Sequence, residues 1–433
     1  MRKLGINWGK SNTYGSVTKQ CYATFIFSIS KFCIFTAKSI KNTGVPSKLF
    51  LIIQKLMAGI YIHVPFCKTR CIYCDFYSTT QSSLQPNYVS ALCKELVQRK
   101  EYLDSESVET IYFGGGTPSQ LSYEELTAIF QTITENYRVT ENAEVTMEAN
   151  PDDLSSTYLS LLRKLPFNRI SMGIQTFHDG TLKLLKRRHS ALQALEAFKK
   201  SRVAGFNNIS IDLMYGLPGE SIQTWKEDIN KAISLSPEHI SAYHLTYEQG
   251  TPIYNMLQQH KIREVTEELS VTFFNILREE LLKSGYEHYE ISNFCRPGKE
   301  SRHNTSYWKG VNYLGCGPSA HSFNGKSREW NVSSLNDYIK GIEKGERDFE
   351  TEELNADTRY NELIITSLRT SKGICLDQIT QIFGGAYTDY CLKMGTKYIE
   401  QESLIIESGY LRLTEKGLFI SDGIMSTLLK VEN

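Results

Sequence analysis

MAGIYIHVPFCKTRCIYCDF, residues 57–76, runs from a β-type stretch straight into three cysteines. Gly59–Val64 has the aromatic and β-branched make-up of a strand. The segment Cys67-Lys-Thr-Arg-Cys71-Ile-Tyr-Cys74 therefore sits on a loop at a strand's C-terminal end. Three thiols in eight residues form a ligand set. The other cysteines, Cys21, Cys33, Cys93, Cys295, Cys316, Cys375 and Cys391, are scattered and read as small buried hydrophobes. A structural zinc site takes four ligands and usually a second cysteine pair, which is missing. A [4Fe–4S] cluster held by three cysteines leaves one iron open to chelate an amino and a carboxylate group.

Outward from this stretch, β-rich and helix-period segments alternate, the signature of βα units in a parallel sheet. Strands are expected at 59–64, 108–115, 143–149, 169–174, 208–216 and 239–245. Helices are expected at 84–101, 122–136, 155–164, 178–186, 190–203 and 221–234. Six such units make an α/β fold, a partial (β/α)6 barrel with its chemistry at the C-terminal strand ends. A long amphipathic helix follows at 264–284. The stretch from Tyr286 to Arg328, rich in His, Asn, Gly, Tyr and Trp, reads as an extended functional loop. Residues 355–430 return to two helices and then GYLRLTEKGLFIS, where two β runs flanking T-E-K-G suggest a winged-helix-like α+β domain.

The other strand ends carry polar and glycine motifs. Gly114-Gly115-Gly116-Thr117-Pro118 follows the second strand, and glycines there let backbone approach a ligand closely. Glu148 ends the third strand in M-E-A-N-P and Gln175 the fourth in G-I-Q-T-F. Arg187 and His189 follow in R-R-H, and Asp212 lies in D-L-M-Y-G-L-P-G at the fifth. Each alone reads as a cap, a turn or a solvated side chain. In this order, after C-x-x-x-C-x-x-C and the opening Tyr61, His63, Pro65, Cys67, they resemble the oxygen-independent coproporphyrinogen III oxidase-like family of the radical S-adenosylmethionine (SAM) superfamily. The resemblance implies a [4Fe–4S] cluster on Cys67, Cys71 and Cys74. It implies SAM contacts at Tyr61, Tyr73, Gly115, Gly116, Thr117, Glu148, Gln175, Arg187 and Asp212.

Two functions compete within that family. The oxidase carries a further cysteine two residues beyond the third, where this chain has Phe76; Cys74-Asp75-Phe76 instead resembles the heme chaperone branch. So does His303-Asn304-Thr305-Ser306-Tyr307-Trp308, an H-N-x-x-Y-W motif. The resemblance implies heme as a third cofactor and His303, His321, Tyr307 and Trp308 as candidate heme residues. An isolated loop histidine is more often satisfied by a backbone carbonyl, and Tyr307 and Trp308 suit a structural plug equally. Lying after the barrel strands, the segment is expected to stand apart from the SAM set. Expected partners are heme and acceptor hemoproteins, respiratory ones at the membrane among them, with homodimerisation left open. The runner-up is the oxidase, converting coproporphyrinogen III to protoporphyrinogen IX in porphyrin biosynthesis.

The 48 basic and 48 acidic residues balance, which argues against nucleic acid as a partner. The balance is uneven along the chain, since residues 1–56 hold nine Lys/Arg and no Asp/Glu, leaving a net charge of −9 on residues 57–433. Residues 21–37 are apolar but broken by Lys31, too short and interrupted for a clean membrane span. Residues 1–56 match nothing in the family pattern. They are expected to be a mis-called upstream segment before a true start at Met57, with a targeting leader and a folded extension as alternatives. Sparse cysteines suit a reducing, cytoplasmic setting. The expected divisions are 1–56 as extension, 57–290 as core barrel, 291–354 as a loop-rich connection and 355–433 as a HemN-type C-terminal domain.

Overall fold

The computed structural model describes residues 57–431, and the expectations for residues 1–56 lie outside them. Six strands, β1 (Met57–Val64), β2 (Ser107–Gly115), β3 (Val139–Ala149), β4 (Arg169–Gln175), β5 (Ile209–Tyr215) and β6 (His239–His244), lie side by side in chain order. Every neighbouring pair among them is parallel. The crossovers carry α1 (Gln85–Gln98), α2 (Tyr123–Asn136), α3 (Ser156–Leu162), α4 (Asp179–Leu184), α5 (Ala191–Val203) and α6 (Ile222–Leu235). After β6 come α7 (Pro252–Gln258) and α8 (Glu267–Lys283).

Local chemistry sets the helix starts. Helices α2, α5 and α6 begin after Ser122, Ser190 and Ser221, whose hydroxyls accept the N–H groups of Glu125, Gln193 and Thr224 while those side chains bond back to the cap. Each such cap is worth about 1 kcal/mol. Strand alternation then sorts the two faces. Ile60, Ile62 and Val64 of β1 and Ile111 and Phe113 of β2 are buried in the core shared with the helices. The intervening Tyr61, His63 and Tyr112 lie on the opposite, inner face of the sheet.

The sheet stays open because other strands occupy both edges of the six. Strands β7 (Glu287–Glu290) and β8 (Asn293–Cys295) form a hairpin whose β8 arm pairs antiparallel with β6. After α9 (Arg302–Trp308), β9 (Asn312–Cys316) pairs in parallel with the outer side of β1. Next, β10 (His321–Phe323), β11 (Ser327–Asn331), α10 (Leu335–Lys344) and β12 (Phe349–Glu353) complete twelve strands ordered β12-β11-β10-β9-β1-β2-β3-β4-β5-β6-β8-β7. The extended loop expected over Tyr286–Arg328 is thus replaced by five short strands and a helix, so residues 291–354 are not loop-rich. These strands span three to five residues, and β8 is buried at all three. Elements that short show neither alternation nor a 3.6-residue period.

The C-terminal α+β region has its own core around Tyr360, Ile364, Ile379, Leu404 and Ile424. It comprises α11 (Ala356–Leu368), β13 (Ile374–Cys375), α12 (Leu376–Phe383), α13 (Gly385–Glu400), β14 (Leu404–Glu407), β15 (Tyr410–Leu413), α14 (Glu415–Leu418) and α15 (Ser421–Leu428). Its sheet is ordered β13-β15-β14. The hairpin turn is Ser408-Gly409, both at positive φ (52° and 80°), not the expected T-E-K-G. Two central residues at positive φ match the twist of a tight hairpin. Thr414 instead caps α14, its hydroxyl accepting the Gly417 N–H. The Arg328–Glu362 ion pair at 2.6 Å ties this region to the main sheet. Among the described residues no helix is long and apolar enough to cross a membrane.

Candidate functional site

The C-terminal ends of β1 to β6 open into a cavity of about 220 Å³. Cys67, Cys71 and Cys74 line it, as do Tyr61, Tyr73, Gly115, Gly116, Thr117, Glu148, Gln175, Arg187 and Asp212. Residues far apart in the chain converge there because each parallel strand delivers its last inward side chain to the same rim.

The β1–β2 junction depends on missing side chains. Gly115 has φ +103°, and a Cβ on it would lie 2.7 Å from the His63 ring; a Cβ on Gly116 would lie 2.8 Å from the Val64 and Phe66 carbonyl oxygens. His63 itself bonds the Tyr61 hydroxyl through Nδ1 at 3.1 Å and the Tyr77 carbonyl through Nε2 at 3.2 Å. Burial lowers its pKa to about 4, so it is neutral. Gln175 adopts φ +73° at the end of β4, a left-handed backbone that costs a non-glycine residue about 1–3 kcal/mol and that concentrates at ligand sites.

The cysteine loop is held from several sides. The Thr117 hydroxyl donates to Cys67 Sγ at 3.4 Å, and Arg187 Nη1 donates to Cys71 Sγ at 3.4 Å. Arg187 Nη2 also donates to Asn150 Oδ1 and to the Gly173 carbonyl. Burial opposes the guanidinium charge, but Tyr73 and Cys71 beside it outweigh that and hold the pKa up. Burial raises the Cys67 thiol and pushes Cys74 up to about 12; only a cation supplied at the site would draw the thiolates out. Among the described residues, the ligand-type side chains that converge within 4.8 Å are Glu287, Cys295 and Glu300. Cys67, Cys71 and Cys74 do not form such a group, so at least one pair of their sulfurs stands more than 4.8 Å apart. A single tetrahedral zinc, with Zn–S near 2.3 Å, would need its thiolates about 4 Å apart. The wider spacing suits a multi-iron cluster.

The floor of the cavity differs from expectation. His303, Asn304 and Tyr307 line the same space as the SAM set, because α9 folds back beneath the strands. The Glu144 carboxylate accepts the backbone N–H groups of Arg302 at 3.0 Å and His303 at 2.9 Å. The His303 ring enters beside Gly59 and stacks on Tyr112 with centroids 5.0 Å apart. Its Nδ1 meets Thr110 Oγ1 at 2.8 Å and its Nε2 the Tyr307 hydroxyl at 3.1 Å. Burial and the Arg169 charge lower its pKa to about 3. The imidazole is neutral, the form that ligates iron, but a metal at Nε2 must displace Tyr307.

Trp308 and His321 do not line the cavity. Trp308 is buried with the Arg369 guanidinium 5.9 Å from its ring centre. His321 on β10 stacks on Trp330 at 5.7 Å, and burial, with Arg328 and His63, lowers its pKa to about 3.

The sequence reading passed over Tyr112, Asn150, Ser171, Tyr243 and His244, which also line the cavity. The Tyr112 hydroxyl donates to Glu148 Oε1 at 2.5 Å. Strand parity with Tyr61 was the available signal for Tyr112, and the strand-end rule was the signal for Tyr243 and His244 on β6.

Residues 61–232 match the radical SAM superfamily and residues 354–420 the HemN C-terminal domain. The heme chaperone HemW of Bacillus subtilis is 34% identical over 377 residues, 86% of this chain and 99% of that protein. HemW of Lactococcus lactis is 32% identical over 369 residues, covering 85% and 96%. The mitochondrial radical S-adenosyl methionine domain-containing protein 1 of Mus musculus is 31% identical, covering 86% and 87%. Among solved structures, coproporphyrinogen III oxidase (HemN) from Escherichia coli superposes with a TM-score of 0.77 over 94% of this chain and 98% of that one. At 21% identity that likeness speaks for the fold alone.

Proposed function

Because the chain belongs to the HemW family of heme chaperones within the radical SAM superfamily, we propose that it binds heme and passes it to acceptor hemoproteins. The identity across 99% of the Bacillus subtilis chaperone carries this reading. Phe76 supports it, lining the cavity where the oxidase pattern has a further cysteine.

In this reading Cys67, Cys71 and Cys74 hold a [4Fe–4S] cluster, which when bound offers an open iron to SAM. The Gly115, Gly116 and Thr117 backbone lines the cavity and faces the methionyl end. Arg187 supplies a forked cation for its carboxylate, while Glu148, Gln175 and Asp212 hydrogen-bond the amino group or ribose hydroxyls. Tyr61 and Tyr73 close the walls.

For heme, the stacked Tyr112–His303 pair offers flat aromatic surface to an apolar macrocycle, with Tyr307 at its edge. His303 is the first candidate for the iron and His321 the second; Trp308 supports α9 from behind. Acceptors include respiratory hemoproteins at the membrane, the chaperone itself working from the cytoplasm. The domain limits are taken at 57–290, 291–354 and 355–433, and the C-terminal three-stranded unit as a winged-helix variant.

Anaerobically reconstituted protein, assayed side by side for heme binding and coproporphyrinogen III decarboxylation, tests the proposal. Heme binding and transfer to an apo-hemoprotein without decarboxylation is expected. Robust formation of protoporphyrinogen IX would replace the chaperone reading with the oxidase.

A further inference from the structure

Three of the loops that build the cavity meet a second time, one layer behind it. Asp153 lies in the N-P-D-D turn that follows β3, and its side chain is 2% exposed. Its Oδ1 accepts from Lys68 Nζ at 3.0 Å, its Oδ2 from Ser119 Oγ at 2.9 Å and Gln120 Nε2 at 2.6 Å, and Arg188 Nη2 reaches both oxygens at 3.1–3.2 Å. These donors come from three separate segments of the chain. Each stands close to a residue of the site: Lys68 beside Cys67, Ser119 two residues after Thr117, Arg188 beside Arg187.

Asn150, at the start of the same turn, makes the matching inner contacts. Its amide donates to Thr117 Oγ1 at 3.3 Å, and its oxygen accepts from Arg187. The turn therefore grips the glycine loop and the arginine loop twice, inside by a neutral amide and outside by a carboxylate that also reaches the cysteine loop. A buried carboxylate with two cationic partners makes charge-assisted, directional bonds. Removing its charge leaves Arg188 with Asp152 Oδ2 at 2.6 Å and the half-exposed Lys68 with water, so the bonds that join the three loops weaken while both cations keep other partners.

We infer that Asp153 is a positioning residue for the cluster and SAM site, locking the cysteine, glycine and arginine loops into one register so that cluster and SAM carboxylate are held at a set separation. The inference rests on the reading that these loops carry the cluster and SAM. It assigns Asp153 no contact with either ligand.

The test uses the full chain, reconstituted anaerobically, as wild type, Asp153→Asn, Asp153→Glu and Lys68→Met. Iron content, SAM affinity and the change that SAM produces in the electron paramagnetic resonance spectrum of the reduced cluster are measured for each. Wild type lacking a cluster or SAM binding would defeat the underlying reading rather than this inference.

With wild type loaded, Asp153→Asn is expected to keep its iron, because the three ligands are intact. It should bind SAM about tenfold more weakly, the scale of one charge-assisted hydrogen bond, and show a diminished SAM-induced spectral change. Asp153→Glu should recover part of both. Lys68→Met removes only a half-exposed arm and should weaken SAM binding about threefold with the same spectral sign, which decides the matter if the Asp153 variants do not fold. Wild-type SAM affinity and spectral change in Asp153→Asn, or in Lys68→Met where the former is unfolded, would overturn the inference.

Discussion

At the residue scale, the site rests on atoms with little freedom to change. Cys71 Sγ takes the Arg187 donor while Cys67 Sγ takes that of Thr117, so each of these two sulfurs has its own supporting group. Cys71→Ala is expected to abolish the cluster, whereas Cys93→Ala and Cys316→Ala, which lie off the cavity, should keep full iron and sulfide by chemical analysis. A full cluster in Cys71→Ala would refute the ligand assignment. Gly115→Ala adds a methyl 2.7 Å from His63 at φ +103°. It should destabilise the fold by about 2 kcal/mol or more in denaturant titration, with weaker SAM binding. Wild-type behaviour would mean the β1–β2 junction relaxes freely. The glycine run was legible as a ligand approach, yet the reason for it, a histidine ring filling the space, is a contact across strands that no spacing encodes.

At the element scale, α9 is a short helix whose N-terminal N–H groups dock on the Glu144 carboxylate while the Arg302 side chain pairs with Glu109 at 2.7 Å. Glu144→Ala removes the acceptor of two N-terminal N–H groups. It should cost about 1–2 kcal/mol, read as a lower Tm, and weaken ligand binding at the floor; an unchanged Tm would show that ring packing and the Arg302–Glu109 pair dock α9 without it. The floor should also be acid-sensitive. The His303 pKa falls from an ordinary 6.5 to about 3 on folding, so the unfolded chain binds the proton first. Its contribution is complete above pH 6.5 and is lost as pH drops towards 3, by up to about 1.4 kcal/mol per pH unit. The fall in stability between pH 6.5 and 5 should be shallower in His303→Gln than in wild type, and equal slopes would show that other groups govern it. The six main strands and their helices were readable because their alternation and period extend over enough residues. The 286–328 elements were not, since three to five residues buried by neighbours show no pattern of their own.

At the scale of the whole molecule, His303 and Tyr307 of the expected heme residues share one cavity with the residues expected to contact SAM. From Glu148, contacts run through the Tyr112 hydroxyl to the His303 ring and Tyr307. Heme and SAM binding should therefore not be independent, and by linkage each must alter the other's affinity by the same factor. Heme titrations with and without saturating SAM test this, and identical affinities would place heme outside the cavity. The sequence by itself determined the three-cysteine loop after the first strand, the order of the six parallel strands and the polar Glu148, Gln175 and Asp212 on the third to fifth, because those are local patterns along the chain. Only the tertiary structure decided that His303 comes back beneath those strands, that Trp308 and His321 stay outside, that β8 and β9 keep the sheet open, and that Asp153 joins three loops. These depend on which distant segments share a buried space, and burial is a property of the folded chain as a whole.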